Sequence, residues 1–152
     1  LSAVSKAPDT QQGFIQDYLA YLLARASHEI SAEFHEQVLA SGLSVMQWRV
    51  LASLSEGPPL SIGALARIVL AQQPTATKLV ARMVQEGLVR RLPHPQDKRS
   101  VLVTLTALGQ RKASPLLKQA RTHEAQVLAR LPDADTVALK DILRRWIEQS
   151  LS

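Results

Sequence analysis

The chain contains no cysteine, which excludes disulfides, thiolate metal sites, a cysteine nucleophile and thiol-based sensing. Aromatic residues make up only 4% of its 152 residues, so the stacking platforms that hold single-stranded nucleic acid are poorly supplied. No run approaches the roughly 18 consecutive apolar residues that a membrane-spanning helix needs, and residues 1–12 lack the basic-then-apolar pattern of a signal peptide. The expected setting is the cytoplasm, with no membrane partner. Also missing are Gly-x-Ser-x-Gly, a Walker-type glycine loop, a dinucleotide fingerprint, His-Glu-x-x-His and any carboxylate pair whose spacing alone supports acid–base work. Neither an enzyme nor a cofactor is expected. His28 and His35 share roughly one helix face beside Glu29, Glu33 and Glu36, but a metal needs a closer ligand set, so they count as polar surface or interface residues. His94 and His123 are isolated, and no metal site is expected.

What the chain does have is positive charge in one place. Between Lys78 and Arg99 lie six basic residues (Lys78, Arg82, Arg90, Arg91, Lys98, Arg99) and two acidic ones (Glu86, Asp97), which accounts for four of the five net charges. Scattered charge is usually a solvated surface. Charge confined to one helix and one ribbon instead suits a grooved polyanion, because cations release counterions from phosphates while a helix enters the major groove. Double-stranded DNA is therefore the expected partner.

The pattern along the chain places these residues on elements. Residues 1–12 look like a mobile tail. From Phe14 to Gly42 apolar residues recur at Ile15, Leu19, Leu22, Ala26, Ile30, Phe34 and Val38, which predicts one amphipathic helix of roughly seven turns. Ser44-Val45-Met46-Gln47 matches a capping box ahead of a helix with Trp48, Leu51 and Leu54 inward. Gly57-Pro58-Pro59 ends it, and Ser61 caps a short helix with Ile62, Leu65, Ala66 and Val69 inside. After a turn at residues 70–73, Pro74 takes the first position of a helix whose apolar side is Ala76, Leu79, Val80 and Met83. Gly87 closes that helix. Residues 89–92 and 100–105 form a two-stranded ribbon with a charged, proline-containing tip. Thr106 opens a long helix to about Arg130, in which Pro115 predicts a bend or break. A last helix begins at Pro132-Asp133.

This order, with Leu43-Ser44-Val45-Met46-Gln47-Trp48-Arg49-Val50-Leu51, Leu65-Ala66, Pro74-Thr75-Ala76-Thr77-Lys78-Leu79-Val80, Gly87-Leu88-Val89-Arg90-Arg91 and Asp97-Lys98-Arg99 through Leu105-Thr106, resembles the MarR family of transcriptional regulators from Tyr18 to Ile147. The resemblance implies a mainly α fold with a small β-wing: one MarR-like domain over 1–152, with a winged helix-turn-helix at 44–105 and dimerisation helices at 14–42 and 107–151. It implies a homodimer on a pseudo-palindromic operator, acting as a repressor released by a small aromatic carboxylate or its thioester. DNA-contact roles fall on Gln73, Thr75, Thr77, Lys78 and Arg82 of the fourth helix and on Arg90, Lys98 and Arg99 of the wing, with Asp97 orienting Arg99. Many relatives carry an acidic residue near the start of the wing turn, where this chain has His94. By the same resemblance Tyr18, Tyr21, Arg25, His28, Trp48 and Arg49 are candidates for an effector pocket, since an aromatic wall and one cation suit an aromatic acid. For Trp48 a core role, and for Arg49 an exposed helix position, explain the residue as well. The alternative function is a winged-helix protein-interaction module without ligand response.

Overall fold

Ten elements follow one another over residues 13–152, which the computed structural model describes; the tail expected at residues 1–12 lies outside them. They are α1 (Phe14–Asp17), α2 (Leu19–Ala40), α3 (Val45–Ser55), β1 (Leu60–Ser61), α4 (Ile62–Val69), α5 (Gln73–Gln85), β2 (Val89–Pro93), β3 (Val101–Leu105), α6 (Ala107–Leu128) and α7 (Asp133–Ser150). The chain divides into two compact units, 1–33 and 34–152. Among its described residues the first unit holds α1 and the earlier part of α2.

The second unit is built on short-range signals that hold as the sequence predicts. Ser44 Oγ accepts from Gln47 N while Gln47 Oε1 accepts from Ser44 N, closing the capping box of α3. Ser61 accepts from Ala64 N to start α4. The core contains Trp48, Leu51 and Leu54 of α3, Leu65 and Val69 of α4, Val80 and Met83 of α5, and Ala113 and Leu116 of α6. Fully burying side chains the size of Val80 and Met83 contributes about 1.5–3 kcal/mol each.

Four expectations are corrected. Tyr18 takes an extended conformation (φ −76°, ψ 122°), so the helix predicted from Phe14 to Gly42 is divided into α1 and α2, although neither proline nor glycine marks the break. Pro115 lies within α6, which continues from Ala107 to Leu128, so the break among the two predicted outcomes does not occur; Ala113 and Leu116, on either side, are both buried in the core and hold the helix across the missing N–H. A third strand, β1, pairs antiparallel with β3 through Leu60↔Val103 and Ser61↔Leu102, giving the sheet order β1-β3-β2. The extended backbone that Pro58-Pro59 favours leads directly into it. The start of α5 also moves by one residue, to Gln73, so that Pro74 stands in the first turn behind it.

Where α5 hands over to the hairpin, the backbone is fixed from two sides. Gly87 has φ +75°, and the amides of Gly87 and Leu88 return to the carbonyls of Val84 and Met83 at 3.0 and 2.9 Å, the paired bonds of a Schellman turn. The Leu88 carbonyl then accepts from Thr106 N at 3.1 Å and from Thr106 Oγ1 at 3.1 Å. Gly109, in the first turn of α6, sits so close that a Cβ there would lie 2.0 Å from this carbonyl oxygen.

Along α7 an apolar stripe is largely uncovered: Val137, Ile142, Trp146 and Ile147 are 45–63% exposed.

Gly109→Ala is expected to lower stability by about 1–3 kcal/mol, the range for forcing extra volume into a packed site. Denaturant unfolding measures it; a change within about 0.5 kcal/mol, the usual surface effect, contradicts the close approach.

Candidate nucleic-acid interface

Helix α5 rolls its apolar side inward and leaves a polar ridge outside. Ala76, Val80 and Met83 are at most 1% exposed, whereas Gln73, Thr75, Thr77, Lys78 and Arg82 are exposed, as the helical wheel predicts. Thr77 Oγ1 donates to the Gln73 carbonyl at 2.9 Å. Lys78 engages no acid among the described residues. Arg82 does: its Nε is 2.9 Å from Glu86 Oε1, and the second Glu86 oxygen accepts from Gln47 Nε2 at 2.9 Å. Gln47 is buried and belongs to the capping box, so a single side chain ties the start of α3 to the end of α5. The sequence pattern offered no sign of this long-range link.

Beside α5 runs the β2–β3 hairpin, in register from Val89↔Leu105 to Pro93↔Val101. Arg90, Lys98 and Arg99 are exposed and form no ion pair among the described residues. The tip is organised by two side chains. His94 Nδ1 accepts from the amides of Gln96 and Asp97, both at 3.1 Å. Asp97 Oδ1 accepts from Arg99 N at 3.0 Å and Oδ2 from Ser100 Oγ at 2.9 Å. These bonds hold the Asp97 carboxyl below its ordinary value, the Arg99 amide most and the Ser100 hydroxyl next. Asp97 therefore grips the backbone of Arg99 and leaves its guanidinium outside the turn.

The effector candidates divide between the two units. In the first, Tyr18 lies at the α1–α2 break with its ring 5.1 Å from that of Phe14. Tyr21 and Arg25 are joined by a 3.2 Å bond from the guanidinium to the phenol oxygen, and Arg25 Nε is 2.9 Å from Glu29 Oε1. Those two partners, Glu29 first, raise the Arg25 pKa. His28 is exposed on the same helix. In the second unit Trp48 is buried edge-on against Phe34, ring centres 5.2 Å apart. Arg49 is half-buried and its Nη1 lies 3.5 Å from the Val69 carbonyl at the end of α4.

A polar ridge on a buried helix, a short turn before it and a cationic hairpin after it are the parts of a winged helix-turn-helix. The sequence profile of the MarR family matches residues 43–101. The homoprotocatechuate degradative operon repressor of Escherichia coli is 31% identical over 119 residues, covering 76% of this chain and 80% of that protein. The chain belongs to the MarR family. A crystal structure of a MarR-family regulator from Silicibacter pomeroyi is 40% identical, with TM-score 0.79 over 89% of this chain and 96% of that one. The transcriptional repressor CouR, solved on a 23-mer DNA duplex, is 25% identical with TM-score 0.74, over 89% of this chain and 96% of that one. Two other matched relatives are longer proteins, of which the chain spans 56% and 43%. As a MarR protein the chain is a DNA-binding transcriptional regulator, and among its described residues no helix is long and apolar enough to cross a membrane.

Asp97 gives the tip a defined acid limit. Its folded-state pKa is depressed from 3.8, so its contribution is fully present above that value and is lost only as pH falls through the lower folded value. Amide hydrogen exchange is expected to show Arg99 N protected at neutral pH, where Asp97 is fully charged. Asp97→Ala should raise its exchange at neutral pH by about tenfold, the loss of one bond to a charged acceptor; an unchanged rate contradicts the grip.

Proposed function

We propose that this chain is a homodimeric, cytoplasmic repressor that sets two α5 helices into successive major grooves of a pseudo-palindromic operator and is released by a small aromatic carboxylate or its thioester. The observation that carries the DNA reading is the ridge of α5, polar and cationic on a helix whose other side cannot turn outward, flanked by a hairpin whose cations are unpaired among the described residues. Gln73, Thr75 and Thr77 are suited to base edges, Lys78 and Arg82 to phosphate or a base edge, and Arg90, Lys98 and Arg99 to the backbone and minor groove alongside. In this reading residues 44–105 are the DNA-binding part, and 14–42 and 107–151 supply the dimer.

The dimer is supported by apolar surface that one copy leaves open. Besides α7, the first unit exposes Phe14, Ile15, Tyr18, Leu19 and Leu22, an unusual display for a soluble monomer. Twofold pairing would bring two recognition helices about 34–36 Å apart. The aromatic effector is supported by the relative named for a homoprotocatechuate degradative operon. Tyr21 and Arg25, already joined, supply a ring and a cation of the right kind, beside Tyr18 and His28. Trp48 and Arg49 enter this reading only as secondary candidates, since both have structural partners.

Selection of duplexes from a random pool, with and without a panel of aromatic acids, tests the whole reading: recovery of an inverted repeat that one acid releases supports it, and recovery of no preferred duplex contradicts it. On the selected duplex Arg99→Ala should weaken binding about tenfold or more, and Lys78→Ala should lower the slope of log affinity against log salt by about 1 if it meets phosphate or relax base preference if it meets an edge. Wild-type binding by both variants would remove these residues from the interface.

A further inference from the structure

We propose that His94 is the positioning residue of the hairpin tip, and that operator binding by this chain weakens in mild acid because the imidazole holds the tip only while unprotonated. The proposal rests on the DNA reading above. Between β2 and β3 the chain must reverse over seven residues, 94–100, with Pro95 among them. The two amides that follow Pro95 both end on one acceptor, His94 Nδ1, at 3.1 Å each. Asp97 then holds the next amide but one, that of Arg99. The tip is thus a two-part clamp. His94 fixes where Asp97 stands, and Asp97 fixes where Arg99 departs.

An imidazole nitrogen that accepts carries no proton, so the clamping ring is neutral with its hydrogen on Nε2. Protonation puts a hydrogen on Nδ1, facing two N–H donors. Both bonds are lost and the ring must turn away. Histidine is the side chain whose ordinary titration lies in the physiological range, whereas Asp97, held below 3.8, keeps its charge throughout. Asp97 is the charged group shown to act on His94; Lys98 and Arg99 follow it along the tip, and Arg91 lies on β2. The Asp97 carboxylate attracts an imidazolium, but exposed pairs contribute little, and that carboxylate is already committed to the Arg99 amide and the Ser100 hydroxyl.

The sign of the effect separates this account from plain electrostatics. One more positive charge on a phosphate-facing hairpin would tighten binding in acid; loss of the clamp loosens it. An acidic residue at this position could accept the same amides while staying charged in mild acid, so the acid response depends on the imidazole.

The test compares the full chain with His94→Asn, whose side-chain carbonyl can accept an amide two residues on and does not titrate, and with His94→Ala, which has no acceptor. Affinity for a selected duplex is measured at about pH 7.5 and about pH 5.5 at constant ionic strength. At the higher pH, wild type and His94→Asn should bind alike and His94→Ala about tenfold more weakly. At the lower pH, wild type should fall toward His94→Ala while His94→Asn holds its affinity, which cancels any effect of His28, His35 and His123. Tighter wild-type binding in acid, equal pH profiles for wild type and His94→Asn, or full affinity of His94→Ala at the higher pH would overturn the proposal. A second readout needs no DNA: in free wild-type protein the Gln96 and Asp97 amide resonances should shift with the same midpoint as the His94 ring, and amides that ignore that titration refute the clamp. If no duplex binds at any pH, the DNA reading fails while this readout still decides the clamp.

Discussion

Burial of Ala76, Val80 and Met83 sets how far α5 can roll, and the rest of the surface follows from it. With those three positions closed against the core, Gln73, Thr77 and Lys78 can face only outward. The hairpin is then placed by the far end of the same helix, where Gly87 and Leu88 turn the chain and Thr106 and Gly109 seat it on α6. A groove-binding helix and the strands beside it are thereby fixed by one packed layer, which leaves the tip, residues 94–100, to be ordered by its own bonds.

Polar links extend that rigidity outward. Gln47 belongs at once to the capping box of α3 and to Glu86, which in turn holds Arg82. Arg82 is exposed yet tethered, whereas Lys78 is exposed without an acid, and the two are suited to different tasks: a held guanidinium for a fixed direction, a loose ammonium for a phosphate. At the tip the same logic appears in miniature. Beyond the backbone bonds from His94 N to Ser100 O and from Ser100 N to Asp97 O, side-chain acceptors hold the turn, and the guanidinium of Arg99 is left outside.

Much of this was legible in the sequence because it depends on near neighbours. Ser44 with Gln47, Ser61 before Ile62, Gly87 after α5 and the apolar spacing from Ala76 to Met83 each state their own local geometry, and each is realised. The departures come where distant packing overrides local preference: Ala113 and Leu116 carry α6 through Pro115, and β1 exists only because β3 offers it an edge. Leu70 is a different case. It ends α4 in the left-handed region at φ +60°, a place where glycine is usual, and its side chain, 81% exposed, gives no sequence signal for that turn. At the site, the cationic residues were identifiable by their clustering, but the amides that His94 and Asp97 accept were not, since side-chain chemistry alone does not say which backbone a turn presents.

In the proposed dimer, apolar surface left open on α7 and on the first unit pairs the molecule, and one α5 per chain meets each of two grooves. The most direct test is hydroxyl-radical footprinting of the selected duplex, with stoichiometry from the same sample. Two protected patches on one side of the duplex, about one helical turn apart, with two protomers bound, is the predicted result. A single patch with one protomer, or uniform cleavage along the duplex, would contradict the account.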